Sequence, residues 1–148
     1  MIDAFLERLT ALCAVDSPTG DAAGLARSAE LLAGWAVADG LDVEVRDGSL
    51  LVISTPGEGR TLLIGHHDTV YPAGTAAARP VVRDGDVIRG PGVADMKGGL
   101  LVGLAAMAGL EGRGVEFWIV PDEEARSVAP ACLDEWRGAD RAICLECG

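Results

Sequence analysis

Apolar residues recur at helical spacing over residues 2–15, with Phe5, Leu9 and Leu12 on one stripe, and Ser17-Pro18-Thr19-Gly20 ends the pattern. A second helix follows. Asp21 is its expected N-cap, Leu25, Ala29, Leu32 and Ala36 form the buried stripe, and Gly40 closes it. Residues 41–46 alternate apolar and acidic, as a strand with one wet face does, and residues 50–54 read as its partner across Asp47-Gly48. Residues 56–59 read as a turn. The run Leu62-Leu63-Ile64 then predicts a buried strand that stops at Gly65. Beyond it, residues 71–80 read as an irregular loop and residues 81–89 as a hairpin turning at Asp84-Gly85.

Gly90, Pro91 and Gly92 punctuate the chain again, and Gly98-Gly99 opens the run LLVGLAAMAGL, which is apolar all round. A bilayer span needs ~20 residues, so this run predicts a helix buried on every side. Residues 115–120 read as a third buried strand, residues 128–137 as a helix and residues 142–145 as a final strand. The order of elements is that of an α/β fold.

Length suits one domain with a sizeable core: 148 residues, 49% hydrophobic but only 4% aromatic. With a mean hydropathy of +0.28, that core is expected to be built from small aliphatics. A net charge of -11 argues against nucleic acid and anionic membrane surfaces, which need clustered Lys and Arg, and leaves cationic partners such as metal ions. The amphipathic start IDAFLERLTALCAV carries acids where a secretory signal is basic, so the chain reads as cytoplasmic. Its four cysteines then read as reduced thiols; the single C-x-x-C of Cys144 and Cys147 is a weak zinc or redox signal.

Candidate chemistry sits where the buried strands end. After Gly65 come His66, His67 and Asp68. In extended chain, His66 and Asp68 share a face while His67 points away. A carboxylate beside an imidazole fixes the tautomer of a metal-ligating histidine, although the same pair also suits a solvated polar loop. Asp95, just ahead of the apolar helix, is either a cap or a ligand favoured by the helix dipole. The acids Asp122, Glu123 and Glu124 follow the third strand, where like charges raise one another's pKa unless a cation compensates; the alternative is a solvated acidic loop. Glu146 closes the last strand. Open α/β sheets place their sites at strand ends of this kind. G-x-G-x-x-G is not met, which leaves a dinucleotide site weak.

GHHDTVYP at residues 65–72, GTAAARP at 74–80, GPGVADMKGGL at 90–100, DEE at 122–124 and a Glu closing the next strand resemble, in order, the catalytic domain of the M20 metallopeptidases, near the glutamate carboxypeptidase branch. The resemblance implies a three-layer α/β domain with a mixed, largely buried sheet and flanking helices. It implies two divalent ions, Zn²⁺ or alternatively Co²⁺. His66 and Glu146 hold one, Glu124 holds the second, and Asp95 bridges them; Asp68 orients His66 and Glu123 is the general base. The peptide after Asp95 is implied to be cis. Such a pair of ions polarises a scissile carbonyl and lowers the pKa of a shared water towards ~7. If the acidic segment is extended, Glu123 and Glu124 face opposite ways, one to water and one to metal. The implied reaction is hydrolysis of an amide in a small carboxylate-bearing substrate, a peptide or N-acyl amino acid. Ala125-Arg126 departs from the family's small residue and Gly before Ser127, which bears on substrate preference.

The resemblance also implies a second histidine from a distant part of the sequence, a lid or dimerisation domain and homodimeric full-length relatives. Here the only histidines are His66 and His67, and the chain reaches Gly148 directly after Glu146 and Cys147. The expectation is therefore an N-terminal part of a catalytic domain, incomplete at its C-terminus. It is expected to be inactive alone, binding at most one metal unless a complementary C-terminal segment joins it.

Overall fold

The computed structural model describes residues 2–110, 112–125 and 132–146. Helix α1 (Ile2–Cys13) buries Leu9, Leu12 and Cys13. Helix α2 (Ala22–Ala38) starts where Asp21 accepts the Ala23 and Gly24 N–H groups, each at 3.2 Å, and buries the predicted Leu25, Ala29, Leu32 and Ala36. Strands β1 (Asp42–Arg46) and β2 (Leu50–Thr55) pair antiparallel. Asp47 and Gly48 turn between them with φ of 50° and 77°, the doubly left-handed turn whose twist matches a hairpin.

The sheet has five strands in the order β1-β2-β6-β3-β7. Strand β6 (Gly112–Val120) lies at the centre, antiparallel to β2 and parallel to β3 (Gly57–His66), which in turn runs parallel to β7 (Arg141–Cys144). The sheet is mixed, as expected. Residues 56–59, predicted as a turn, are mostly strand: β3 begins at Gly57, pairs with Gly112, and shifts register between Glu58 and Thr61. Backbone partners on β6 draw this glycine-containing stretch into the ladder. Only Pro56 separates β2 from β3, so the chain crosses close over the start of β6; a Cβ on Gly114 would sit 2.0 Å from the Gly59 carbonyl oxygen.

Period-two alternation sorts the core into two layers of contact. Leu51, Ile53, Leu63, Val115, Phe117 and Ile119 pack with α1, α2 and helix α4 (Gly98–Met107). Val52, Leu62, Trp118 and Val120 pack on the opposite face, where Trp136 of helix α5 (Leu133–Trp136) meets Trp118 edge-on at 6.1 Å. Helices thus cover both faces, giving three layers.

Four expectations change in detail. Helix α4 is not buried on every side: Leu100, Leu101, Leu104 and Met107 face the sheet, but Val102 is 55% exposed and Ala105 and Ala106 are exposed. A helix laid on one sheet face has an outer side, and here small apolar residues occupy it, lining with Ile2 and Phe5 an open groove of about 700 Å³. The loop at 71–80 contains one helical turn, α3 (Thr75–Ala78), fastened by the Asp16 carboxylate, which accepts the Gly74 N–H at 2.7 Å and the Ala76 N–H at 2.9 Å. The hairpin of β4 (Val82–Asp84) and β5 (Val87–Arg89) turns at Gly85-Asp86, one residue later than expected, because Gly85 supplies the positive φ. Of the helix expected at 128–137, residues 128–131 lie outside the described residues and Leu133–Trp136 is helical.

Candidate metal centre

Strand β3 ends at His66, and the chain beyond it is held extended by its own backbone. The His67 N–H donates to the Val120 carbonyl at 3.1 Å and the Thr69 N–H to the Ser17 carbonyl at 2.9 Å, while the Ser17 hydroxyl donates to the His67 carbonyl at 2.7 Å. Alternation then separates the histidines. His66 Nδ1 lies 3.2 Å from Asp68 Oδ1 and 3.1 Å from the Asp68 carbonyl, whereas His67 turns away and places Nε2 2.9 Å from the Ser49 carbonyl. Burial drives the His67 imidazole down to about 4, so it is neutral at pH 7.

Two carboxylates converge on the other nitrogen of His66. Asp95 comes from a kinked turn, Val93–Lys97, whose Asp95-Met96 peptide is cis, and its Oδ1 stands 3.0 Å from His66 Nε2. It does not cap α4, whose N-cap is Lys97 without a side-chain cap bond. Glu146 follows β7, where the Leu145 N–H bonds to the Ile64 carbonyl, and its Oε2 also stands 3.0 Å from His66 Nε2. One ligand atom each from His66, Asp95 and Glu146 lies within 4.8 Å of the others.

The acidic segment is not extended. Glu123–Ala125 is a tight helical turn, so the alternation expected of Glu123 and Glu124 does not apply. Asp68 holds the turn: its Oδ1 accepts the Glu123 N–H and its Oδ2 the Glu124 N–H, each at 3.1 Å, which an extended chain with alternating N–H directions does not allow. Glu123 Oε2 lies 3.9 Å from His66 Nε2. Glu124 is raised above the usual carboxylate range, first by partial burial and then by the charge of Asp95.

The donor set fits a cation. Asp68 fixes a proton on His66 Nδ1, which leaves the Nε2 lone pair facing two carboxylate oxygens, a set that is all acceptor when the imidazole is neutral and the carboxylates are ionised. Without a cation, protons take up the frustration. Burial would lower the His66 imidazole, but the Asp68 hydrogen bond and the charges of Asp68, Glu146 and Asp95 outweigh it and hold it at about 9. Glu146 is raised by burial and by Asp95. Asp68 behaves oppositely: burial would raise it, but His66, Thr19 and the Glu124 N–H hold it below the usual range.

Residues without obvious chemistry also build the centre. Thr19 donates to Asp68 Oδ2 at 2.7 Å, from a Ser-Pro-Thr-Gly stretch that reads only as a helix terminator. Met96 rests against Gly65, where a Cβ would lie 2.8 Å from Met96 Cε. Lys97 is 1% exposed, a burial that no local pattern signals for a lysine between two glycine-rich stretches. Cys13, Cys132 and Cys144 are free thiols, while Cys147 and Arg126 lie outside the described residues. No helix among the described residues is long and apolar enough to cross a membrane.

Comparison with known proteins bears on the family and the fold. Carboxypeptidase G2 of Pseudomonas sp. (strain RS-16) is 34% identical over 120 residues, 76% of this chain and 29% of that protein. An M20 family metallo-carboxypeptidase from Sulfolobus solfataricus superposes with a TM-score of 0.77 over 97% of this chain and 37% of that one, at 20% identity. Human carnosine dipeptidase 1 gives 0.75 over 96% and 38%, at 19% identity, a likeness of fold alone. The chain thus spans about a third of the length of these proteins. The profile of Peptidase family M20/M25/M40 matches residues 62–146, the span that runs from the buried strand before His66 to Glu146, and the chain belongs to that family.

Proposed function

We propose that this chain carries the N-terminal, metal-binding part of the catalytic domain of a zinc-dependent amidohydrolase or exopeptidase that cleaves an amide in a small carboxylate-bearing substrate. The observation that carries this reading is the convergence of His66, Asp95 and Glu146 ligand atoms within 4.8 Å, with Glu123 at the rim. Imidazole with carboxylate oxygens suits Zn²⁺, and three protein ligands leave a position open, as catalytic zinc sites do. His66, Asp95 and Glu146 would hold one ion, and Glu124 with Asp95 would serve a second. Bound there, divalent ions supply Lewis acidity to a substrate carbonyl and acidity to a water.

The residues of the chain do the rest. Asp68 keeps the Nδ1 proton on His66, so that Nε2 alone is offered as ligand. Glu123 accepts the proton of the attacking water at its carboxylate and returns it to the leaving nitrogen. Its 42% exposed side chain can reach substrate while its backbone is fixed by Asp68. A free amino acid as leaving group is consistent with the carboxypeptidase named as the 34% identical relative. Site of action is proposed as the cytoplasm, where free thiols persist.

The experiment is metal analysis of the purified chain beside His66→Ala. One retained divalent ion, lost in the variant, is expected; equal metal content in both would falsify the ligand assignment. A second reading is favoured by His67, which faces Ser49 instead of the cluster. By it the 148-residue chain alone holds at most one ion and is inactive until a complementary C-terminal segment supplies a second histidine, and robust zinc-dependent cleavage of an N-acyl amino acid by the monodisperse chain overturns it.

A further inference from the structure

Asp95 has no secondary structure of its own to hold it. Its φ and ψ are -120° and 98°, outside the helical range; beyond it Met96 is buried, with its Sδ accepting the His66 N–H at 3.2 Å, and Lys97 follows as the last residue of the kinked turn. Lys97 is 1% exposed, and its ammonium donates to the Leu12 carbonyl at 3.2 Å and the Val15 carbonyl at 2.8 Å, at and just beyond the C-terminal end of α1. The Leu12 carbonyl already accepts the Val15 N–H at 3.2 Å and receives the ammonium on its second lone pair; carbonyls at a helix C-terminus carry the negative end of the dipole, so a cation there is favoured without a carboxylate bond. The Lys97 N–H closes the kinked turn on the Gly92 carbonyl at 2.9 Å, and the stem of its side chain passes Gly92, where a Cβ would lie 3.2 Å from Lys97 Cδ. Lys97 thereby ties the turn that carries Asp95 to an element from the other end of the sequence.

We propose that Lys97 is a positioning residue for the metal centre: by seating its ammonium on the Leu12 and Val15 carbonyls it fixes the turn that delivers Asp95 to His66. This rests on the reading of His66, Asp95 and Glu146 as ligands. Burying a charge on backbone carbonyls is a costly way to hold a loop, and an apolar side chain of similar length would fill the same space. The cost has a purpose if the ammonium sets the register of the ligand, since hydrogen bonds behind metal ligands commonly govern 10- to 100-fold in affinity.

The test uses Co²⁺ with the full chain, read by its visible absorption and by competition with a chelator. Wild type is compared with Lys97→Met, Lys97→Gln and, as a destabilised control away from the centre, Leu32→Ala. The expected result is an affinity loss of about 10-fold or more in Lys97→Met, with an altered Co²⁺ spectrum, a smaller loss in Lys97→Gln, and wild-type affinity in folded Leu32→Ala. Wild-type affinity and spectrum in a folded Lys97→Met chain overturn the proposal while leaving the ligand assignment intact. No Co²⁺ bound by wild type overturns the ligand assignment and this role with it. Failure of both Lys97 variants to fold, judged by circular dichroism, also overturns it, because the lysine then holds the fold and not the ligand.

Discussion

Asp68 Oδ1 stands 3.2 Å from His66 Nδ1 and, with the same oxygen, accepts the Glu123 N–H at 3.1 Å. One buried carboxylate therefore sets both the imidazole and the tight turn that bears Glu123 and Glu124. Its other oxygen takes the Thr19 hydroxyl and the Glu124 N–H, so all its partners lie on three separate segments.

Asp68→Asn keeps the shape but replaces an acceptor oxygen with a donor that faces N–H groups. A 10- to 100-fold weaker divalent affinity is expected, together with loss of order in residues 123–125. Titration against a chelating dye reads the first, and amide hydrogen exchange reads the second. Weakened metal with an unchanged turn would show that the Glu123 and Glu124 N–H groups do not depend on Asp68.

Gly65→Ala inserts a methyl group 2.8 Å from both Met96 Cε and Leu100 Cδ2. Those are ends of flexible side chains, so the strand is expected to survive at a cost of about 1–3 kcal/mol while Met96 is pushed back. Because Met96 follows Asp95, metal affinity should fall as well. Urea denaturation and metal titration of the same variant check both, and a folding loss with no metal effect would separate Met96 from the centre.

Much of this was legible from residue pattern. The helical stripe of α2, the alternation that splits His66 from His67, and the strand ends that carry His66, the acidic turn and Glu146 follow from local periodicity, because burial imposes period 3.6 or 2 on the residues that face a core. What local pattern does not encode are partners distant in sequence. The turn expected at 56–59 became strand because β6, more than fifty residues later, offered a ladder. The extended path expected for Glu123-Glu124 gave way to a helical turn because Asp68 collects its N–H groups. Lys97 and Thr19 carry no signal in their own neighbourhoods, since their roles exist only once α1 and the loop after it pack against the site.

Arg8 and Asp39 form a bidentate pair between α1 and the end of α2, at 2.6 and 2.9 Å, and the Arg8 hydrogen bond holds Asp39 below the usual carboxylate range. A lowered folded pKa means stability present above the unfolded value of ~3.9 and lost as pH falls through the folded one. Both side chains are partly exposed, so a double-mutant cycle with Arg8→Met and Asp39→Asn should give about 0.2–1 kcal/mol at pH 7, fading in acid. The cycle matters because Arg8 also lies 5.6 Å from the Trp35 ring, a contact that the single Arg8 variant loses too. Coupling that persists undiminished into strong acid contradicts the assignment.

The remaining prediction concerns protons released when metal binds. In the metal-free chain the His66 imidazole sits at about 9: burial pulls it down, but Asp68, Glu146 and Asp95 pull it up further. A raised pKa stabilises the metal-free fold most fully below the ordinary value of ~6.5, and that contribution disappears as pH rises through the folded value. Metal affinity runs the other way. Coordination at Nε2 requires the proton there to leave, so binding at pH 7 should release about one proton from His66, and affinity should rise about tenfold per pH unit between pH 6.5 and 8. Calorimetry of Zn²⁺ binding in buffers of different ionisation enthalpy measures the release directly. Asp68→Asn removes the partner that fixes Nδ1–H and lowers the imidazole, so its release at pH 7 should be smaller. Heats that are independent of buffer in the wild-type chain would mean that His66 is already neutral, or that the ion binds elsewhere; metal analysis of His66→Ala tells these apart.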